Sequence, residues 1–404
     1  MMNYEIPRKF NALINQAQQV AVEVFRPISR KYDIAEHEYP VELDMLASIM
    51  DGMNDGDIKG GAGATKLKQD KDKEAEGAVK NGSNMATVLG LTELCWGDVG
   101  LALSLPRQGL GNAAIAAVAN KEQLERYKNT WAAMAITEPD AGSDSANINT
   151  TATLDGDEYV INGEKIFITA GGRCDAVVVW ASLNKKLGRA AIKSFIVEKG
   201  TPGMELVRLD KKLGIKASDT ATIRFEGCRI PKENLLGNPD IDTQKGFGGV
   251  MQTFDNTRPV VAAMAVGLAR ASIELTQALL KSAGVIADYA APINNSLASE
   301  AELYRMEADL EAARLLTLKA AWMADNGYPN SKEASMAKAK AGRTANSITL
   351  KCAELCSSIG YSESHLLEKW ARDSKILDIF EGTQQIQQLI VARRMLGKSS
   401  SELK

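Results

Sequence analysis

Residues 379–385 read IFEGTQQ and place the carboxylate of Glu381 between an apolar pair and a glycine. Burial beside Phe380 would raise the pKa of Glu381, because a low-dielectric site disfavours the charged form. A raised pKa suits a general base that works near neutral pH. Gly382 allows the backbone to pass close to a ligand. From this stretch alone, a solvated glutamate at a helix start, with Thr383 as the cap, remains the other interpretation.

Residues 136–144 read ITEPDAGSD and form a second candidate binding stretch. In a turn, the backbone N–H groups of Gly142 and Ser143 suit the oxygen atoms of an anionic or heteroaromatic ligand. Thr137 can donate a hydroxyl. An ordinary turn rich in Asp and Ser at the start of a strand is the alternative.

Composition excludes several other classes of function. The chain has 404 residues, which predicts two or three domains, and a net charge of −3, which argues against nucleic-acid binding. Its two histidines, His37 and His365, leave little for Ser-His-Asp or His-ligated metal chemistry. The five cysteines form no CxxC pair and are expected to be buried reduced thiols, as in a cytosolic protein. We therefore expect no metal site.

The elements that must position these stretches begin with helices. Apolar spacing predicts a helix over 8–32 that Pro27 breaks or kinks, and Pro40 is expected to open another. Residues 54–82 are rich in Gly, Asp and Lys, which predicts an exposed, mobile loop or, alternatively, a functional lid. Helical spacing resumes at Met85.

Between about residues 131 and 240 the pattern becomes that of strands. Asn162-Gly163 is a strong hairpin signal, so we expect a turn there between strands at 159–161 and 165–169. Further strands are predicted over 176–180, 194–197 and 222–225. Together they predict a compact antiparallel β domain.

From Gly246 onward the spacing is helical again, which predicts a bundle. The fold class is therefore α+β, with an N-terminal helical domain, a middle antiparallel β domain and a C-terminal helical bundle. The expected boundaries are 1–130, 131–240 and 241–404. No signal peptide and no uninterrupted apolar run of 18 residues is seen, so we expect a cytoplasmic protein without a membrane span.

Several short motifs lie along the chain. They are Thr-Glu-Pro-x-Ala-Gly-Ser-Asp at 137–144, Gly163-x-Lys165 with Ile168-Thr169, Ser218-Asp219-Thr220, Phe254-Asp255-x-Thr257-Arg258-Pro259, Arg372-Asp373, and Glu381-Gly382-Thr383-x-Gln385-Ile386-Gln387. In order and spacing, these motifs closely resemble the acyl-CoA dehydrogenase family, over roughly residues 85–397. The N-terminal 53 residues match less sharply. The resemblance is to the type in which the catalytic glutamate lies near the C-terminus.

The resemblance implies FAD held between the domains and α,β-dehydrogenation of an acyl-CoA thioester to the trans-2-enoyl-CoA, in fatty acid β-oxidation. Glu381 falls on the family's base, which takes the α proton while flavin N5 accepts the β hydrogen as hydride. The thioester carbonyl would be polarised by the N–H of Glu381 and a flavin ribose hydroxyl. Some members carry their base near position 257, where a threonine cannot serve.

The resemblance also implies further site residues. Phe167 stands where many members have tryptophan, and either ring offers an apolar platform for a flavin. Arg258 alone could equally form a surface salt bridge. The acyl pocket is expected near residues 103–106. The implied FAD contacts are Met134, Ile136, Thr137, Gly142, Ser143, Phe167, Ile168, Thr169, Thr383 and Gln385. The implied substrate contacts are Ser143, Asp255, Arg258 and Gly382.

Two segments depart from the family's pattern. In homotetrameric members, an Arg and a Phe-Gly after the long helix reach a neighbouring subunit's FAD, but residues 281–289 read KSAGVIADY. The family's Gln and Gly-Gly at the same cross-subunit site are matched by Glu354, Ser357 and Ser358. A glutamate would repel a pyrophosphate, and the serines would block the approach that glycines permit.

The expected partners follow from these matches and departures. They are an acyl-CoA substrate, an electron-transfer flavoprotein as acceptor, and either a homotetramer or a heterotetramer with a related chain. Two alternatives stay open at this stage: a non-catalytic or accessory subunit of a heteromeric enzyme, and a flavin oxidase of the same fold.

Overall fold

The computed structural model describes residues 5–46, 82–106, 110–241, 248–288, 290–295, 297–399 and 402. The side chains of 248–256 and of residue 293 are outside this description. All of the expected loop at 54–82 except Gly82 therefore lies outside the described residues, and so does the side chain of Asp255.

The first predicted helix is observed as two helices joined by a π-helical turn. The turn spans Ala21–Phe25, directly before Pro27 in the first turn of the second helix. A wider turn there relieves the missing N–H and the ring clash of the proline. After Pro40, residues 42–46 are helical. The N-terminal α-helices are α1 (Asn11–Val20), α2 (Arg26–Ile34), α3 (Ser83–Gly97), α4 (Val99–Ser104), α5 (Leu110–Val118) and α6 (Lys121–Arg126).

The described strands form one seven-stranded sheet. The strands are β1 (Ala132–Ala135), β2 (Thr151–Asp155), β3 (Glu158–Thr169), β4 (Ala176–Ser182), β5 (Ile192–Glu198), β6 (Met204–Leu209) and β7 (Thr220–Pro231). Their order is β1-β4-β2-β3-β7-β6, with β5 on β4. The expectation of a purely antiparallel sheet is wrong, because β4 pairs in parallel with β1 and also, at Ser182, with Thr151 of β2. The β2–β3 hairpin lies between β1 and β4 in the chain and supplies the crossover that this parallel pair requires.

The predicted hairpin at Asn162-Gly163 is wrong, because both residues lie inside the 12-residue strand β3. The β2–β3 turn is at Gly156, which has a φ of 64°. The glycine at 163 is required for a different reason. A Cβ there would lie 2.4 Å from the hydroxyl oxygen of Thr150. Asn162 accepts a hydrogen bond of 2.7 Å from the N–H of Gly227. The dipeptide therefore serves the β3–β7 pairing, whose register shifts at this point.

The C-terminal part of the chain is helical, as its spacing predicts. Its α-helices are α7 (Gly248–Ser282), α8 (Ala298–Asp325), α9 (Ser331–Leu355), α10 (Ser357–Tyr361), α11 (Leu367–Leu377) and α12 (Gln384–Leu396). Within the described residues, one helical segment, Thr257–Ser282, has the length and apolar content to cross a membrane, and 78% of its most apolar window is buried in the protein.

The N-terminal and C-terminal helices share one hydrophobic core. Phe25 and Val88 belong to the same buried cluster as Val261 and Leu318. The sheet has its own core on one face, around Phe195. We propose domain boundaries near residues 131 and 240, with the two helical parts packed as a single body.

A buried ion cluster joins this helical body to the sheet. The ammonium of Lys369 lies 2.6 Å from a carboxylate oxygen of Asp98 and 2.5 Å from one of Asp373. Burial alone would lower the pKa of Lys369, but Asp373 and Asp98 outweigh burial and raise that pKa. Asp373 also accepts a hydrogen bond of 2.5 Å from the N–H of Ile215, in the loop between β6 and β7. The cluster therefore sets how the sheet sits against the helices.

Candidate active site

Glu381 lies in the short connection between α11 and α12, with unusual backbone geometry. Its φ is 57°, and that of Gly382 is 94°, so two consecutive residues are left-handed. A side chain at position 382 would clash, because a Cβ there would lie 2.4 Å from the amide nitrogen of Gln387. Thr383 ends the connection as the N-cap of α12, accepting from the N–H of Ile386 at 3.4 Å.

The carboxylate of Glu381 faces the N-terminal part of α7. The hydroxyl of Thr257 donates a hydrogen bond of 2.7 Å to Oε2 of Glu381. Burial raises the pKa of Glu381, although the hydrogen bond from Thr257 and the cations of Arg258 and Lys338 oppose the rise. A half-buried carboxylate with a raised pKa and one oxygen held by a hydroxyl has the properties of a general base.

Sequence reasoning missed the lysine behind this connection. Lys338 of α9 is fully buried, and its ammonium donates a hydrogen bond of 2.7 Å to the carbonyl oxygen of Gly382. Burial lowers the pKa of Lys338 to about 8. The available signal is its position among small apolar residues at helical spacing, since Ala334 and Ala341 are buried one turn away on either side.

Gln387 matched a family motif, but its role was not deduced from the sequence. Its side chain is fully buried, and its amide nitrogen lies 3.0 Å from the carbonyl oxygens of both Glu381 and Gly382. Among the described residues, the N–H groups of Glu381 and Gly382 donate no hydrogen bond. In this connection, the carbonyl groups of Glu381 and Gly382 therefore accept hydrogen bonds from buried side chains, while their N–H groups are available to a ligand.

The second candidate stretch is a tight turn that starts at the end of β1. The main chains of Glu138 and Ala141 exchange two hydrogen bonds, of 3.1 and 3.2 Å. Gly142 and Ser143 follow at the surface, and within the part of the chain described their N–H groups donate no hydrogen bond. These two N–H groups are therefore open to a ligand, and their role in binding one stays a prediction.

A buried ion pair between Lys165 and Glu138 stabilises this turn. Lys165 of β3 lies 2.8 Å from the carboxylate of Glu138 and donates a 3.1 Å hydrogen bond to the carbonyl of Ile136. Burial lowers the pKa of Lys165 to about 8, against the attraction of Glu138. Thr150 donates to the same carboxylate. The Gly163–Lys165 motif is therefore structural, and it holds the turn at 136–141 against the sheet.

Phe167 is presented at the surface by an irregularity in β3. Pairing with β7 shifts register between Lys165 and Ile168, and Phe167 has a φ of 57°. Its side chain is 64% exposed. The adjacent N–H of Ile166 bonds to the carbonyl of Thr137 at 2.9 Å, which places the bulge beside the turn. The Ile168 side chain is fully buried in the sheet core, so only its main chain is left to face a ligand.

The remaining predicted residues differ in exposure. Arg258 is only 2% exposed, so the alternative of a surface salt bridge does not hold. Met134, Thr169 and Thr383 are half-buried, Ile136 is buried and Gln385 is exposed. The hydroxyl of Ser104 lies 2.8 Å from the carbonyl oxygens of both Gly100 and Ala217 and shares its hydrogen between them, which ties the expected acyl-pocket region to the β6–β7 loop. Within the described ranges, no group of three or more His, Cys, Asp or Glu side chains could hold a metal ion.

Comparison with known protein families gives two matches. The C-terminal domain of acyl-CoA dehydrogenases matches residues 244–396, and the middle domain of acyl-CoA dehydrogenases matches residues 133–228.

Two full-length relatives extend the match. The acryloyl-CoA reductase (NADH) of Anaerotignum propionicum is 32% identical over 98% of this chain and 96% of its own length. The short-chain specific acyl-CoA dehydrogenase of Clostridium acetobutylicum is 31% identical over 98% of this chain and 100% of its own.

Solved structures agree with the sequence comparisons. Butyryl-CoA dehydrogenase from Megasphaera elsdenii superimposes with a TM-score of 0.82 at 28% identity, covering 98% of this chain and 100% of that one. A chain in the structure of the electron transferring flavoprotein of Acidaminococcus fermentans gives a TM-score of 0.80 at 28% identity, with the same coverage. The fold, the motifs and the full-length relatives agree, and the chain belongs to the acyl-CoA dehydrogenase family of FAD-dependent oxidoreductases.

Proposed function

We propose that Glu381 is the base of an FAD-dependent α,β-dehydrogenation of acyl-CoA thioesters to trans-2-enoyl-CoA. The observation that carries this proposal is the environment of one carboxylate. Burial raises the pKa of Glu381, and the hydroxyl of Thr257 holds one of its oxygens at 2.7 Å. A base so placed can take an α proton near neutral pH.

The residues of this chain divide the work of proton removal. The carboxylate of Glu381 takes the α proton, while its own N–H donates to the thioester carbonyl oxygen and so makes that proton more acidic. Thr257 holds one carboxylate oxygen, which leaves the other for the substrate. FAD, when bound, supplies the acceptor for the β hydrogen.

The surface around Phe167 fits a flavin. The exposed ring offers an apolar platform, and Gly142 and Ser143 offer N–H groups with no hydrogen-bond acceptor among the described residues. Thr137 lies between them, joined to the bulge through Ile166. The residues proposed to hold FAD are Met134, Ile136, Thr137, Gly142, Ser143, Phe167, Thr169, Thr383, Gln385 and the main chain of Ile168.

For the substrate, we propose contacts from Ser143, Asp255, Arg258 and Gly382. The names of the relatives make acryloyl-CoA and butyryl-CoA the first pair to assay, one in each direction of the reaction.

The test is anaerobic reduction of the bound flavin by butyryl-CoA. Glu381→Gln keeps the size and hydrogen bonding of the side chain but cannot accept the proton. We expect a flavin-bound variant whose reduction is slowed by more than the ~10²–10⁴-fold typical of general bases. Glu363→Gln, at an exposed position, is the matched control. Wild-type flavin reduction by Glu381→Gln would reassign the base.

The electron acceptor that we propose is an electron-transfer flavoprotein in the cytoplasm. Support comes from the similarity to a chain of the A. fermentans electron transferring flavoprotein structure. Rapid reoxidation of the reduced enzyme by such a flavoprotein, and slow reoxidation by oxygen, would distinguish a dehydrogenase from an oxidase.

For assembly, we propose a heterotetramer in which a related chain completes the FAD site. Glu354 is paired with Lys351 at the surface, and its side chain is 68% exposed. Ser357 and Ser358 are exposed beside it. A surface carboxylate and two serines are poorly suited to a neighbour's pyrophosphate, for which the family uses Gln and Gly-Gly.

Flavin stoichiometry of the single chain, and of the chain co-expressed with a related partner, tests this assembly. We expect sub-stoichiometric flavin in the single chain and restoration by the partner. One FAD per chain in an active homotetramer would instead show that other residues make the cross-subunit contacts.

A further inference from the structure

Two helices each send one buried side chain to the connection that carries Glu381. Lys338 of α9 donates to the carbonyl of Gly382 at 2.7 Å. Gln387 of α12 donates to the carbonyls of Glu381 and Gly382, both at 3.0 Å. Both side chains are fully buried. Three hydrogen bonds therefore restrain two successive carbonyl groups.

The conformation that these bonds hold is costly. A left-handed backbone at a non-glycine residue costs on the order of 1–2 kcal/mol, and Glu381 adopts it with a φ of 57°. Desolvating the ammonium of Lys338 is costly as well, unless a partner compensates. The hydrogen bonds to the carbonyls of Glu381 and Gly382 offset both costs, because their donors are buried and a buried hydrogen bond is stronger than one in water.

Apart from these bonds and the one from Thr257 to the Glu381 carboxylate, no hydrogen bond among the described residues restrains the middle of the connection. Its ends are anchored by main-chain bonds, from Phe380 to Ile376 at 3.0 Å and from Gln384 to Asp378 at 3.2 Å. Between these anchors, within the described residues, the N–H groups of Glu381 and Gly382 donate to nothing. The N–H of Glu381 shares a peptide plane with the carbonyl of Phe380, and the φ and ψ angles of Glu381 join that plane to the two restrained carbonyls. Fixing those carbonyls therefore limits the rotations open to the N–H.

We propose that Lys338 and Gln387 are positioning residues that aim the Glu381 N–H, together with its carboxylate, at the acyl-CoA thioester. The inference rests on the proposed role of Glu381. Neither side chain touches the reacting atoms. Each acts through a peptide carbonyl, by excluding backbone rotations that would turn the N–H away. A small misplacement of such a donor is sufficient to slow a reaction by about 10²-fold.

The test measures the position of the donor apart from turnover. Crotonyl-CoA labelled with ¹³C at the thioester carbonyl is bound to the flavin-loaded enzyme, and the carbonyl stretch is read by isotope-edited infrared difference spectroscopy. In the wild type we expect a carbonyl stretching frequency lower than that of crotonyl-CoA in water. In Lys338→Met and Gln387→Met the frequency should return at least halfway to its value in water. The kcat for butyryl-CoA should fall about 10- to 100-fold in both variants.

The matched controls are at Lys340, two residues after Lys338, and at Gln388, one residue after Gln387. Lys340→Met removes a lysine from α9 that pairs with Asp309 at the surface, and Gln388→Met removes an exposed glutamine from α12. Both should keep the wild-type stretch and kcat. If Lys338→Met does not fold, two other variants test the proposal. Gln387→Met removes no charge. Lys338→Arg keeps a cationic donor and is expected to keep the wild-type stretching frequency.

The two proposals fail in different ways. Glu381→Gln keeps the N–H, so it should retain the lowered stretch while losing flavin reduction. Flavin reduction that persists in Glu381→Gln defeats the proposed base but leaves the stretch to report on positioning. A wild-type stretch in folded Gln387→Met overturns the positioning role, whatever the result with Glu381→Gln.

Discussion

The hydroxyl of Thr257 bonds the carboxylate of Glu381 at 2.7 Å across a separation of 124 residues. This hydrogen bond favours the charged carboxylate and lowers the pKa of Glu381 against the effect of burial. Thr257→Val should therefore raise the pKa of Glu381 and displace the acid limb of the kcat profile to higher pH. At pH values on that limb, kcat should fall about tenfold, in line with about 1.5 kcal/mol for a hydrogen bond to a charged group.

Thr257→Ser is the matched control, because it keeps the hydroxyl and should keep the wild-type profile. Rates in stopped-flow reduction from pH 5 to 9 would measure both. An acid limb at the same pH in the valine and wild-type enzymes would show that the hydroxyl does not act on the base.

Burial of Glu381 also predicts a pH-dependent cost to stability. Its folded-state pKa is raised, so the folded protein holds this proton more tightly than the unfolded chain does. That contribution to stability is full below the unfolded pKa of about 4.3 and is lost as pH rises through the folded pKa. Glu381→Gln does not titrate and escapes the loss. Its melting temperature should therefore exceed that of the wild type at pH 8, with a smaller difference at pH 5. An equal difference at both pH values would contradict the raised pKa.

Arg258 is buried beside Glu381 and helps to lower the pKa of that carboxylate. We expect Arg258→Ala to weaken binding of crotonyl-CoA by about 1.5–3 kcal/mol, the range for a lost charge-assisted hydrogen bond. Titration of the flavin spectrum measures the affinity. Arg305→Ala, at a side chain that is 71% exposed on α8, is the control. Unchanged affinity in Arg258→Ala would limit this arginine to a structural role.

The buried position of Lys369 predicts that replacing it has a large and pH-dependent effect on the free energy of unfolding. It neutralises Asp98 and Asp373, both fully buried. Lys369→Met should lower the free energy of unfolding by about 3–5 kcal/mol at neutral pH, because two carboxylates then lie buried without a cation. Lowering the pH should recover part of the loss, since protonation neutralises them. Urea titration measures both, with exposed Lys375→Met as the control. A loss below 1 kcal/mol would show that the cluster contributes little.

Periodicity and family motifs were enough to predict the element order and most of the helices and strands. They also singled out Glu381 and the turn at 136–144, whose roles stay predictions. The Asn162-Gly163 hairpin was wrong because the need for glycine at position 163 comes from Thr150, a neighbour across the sheet. Tertiary packing decided that position over the local turn signal.

Lys338 shows a second limit of the sequence. Nothing beside it in the chain explains a lysine on the buried face of α9, since its partner is the carbonyl of Gly382, 44 residues away. The raised pKa of Glu381 was predicted from Phe380. The hydroxyl and cations that oppose the rise come from α7 and α9 and became visible only in the folded chain.

The single core shared by the first and last helices has a consequence for how the chain is made. Asp325, at the end of α8, accepts from the main-chain N–H groups that start α3, about 240 residues earlier. On the ribosome, the apolar faces of the first helices must wait for the C-terminal helices to emerge, whereas the sheet can complete its own core first. During that interval the N-terminal helices need a chaperone or their own solubility to avoid aggregation. A chain truncated near residue 240 and released from the ribosome should therefore be protease-resistant in its middle and protease-sensitive at its start.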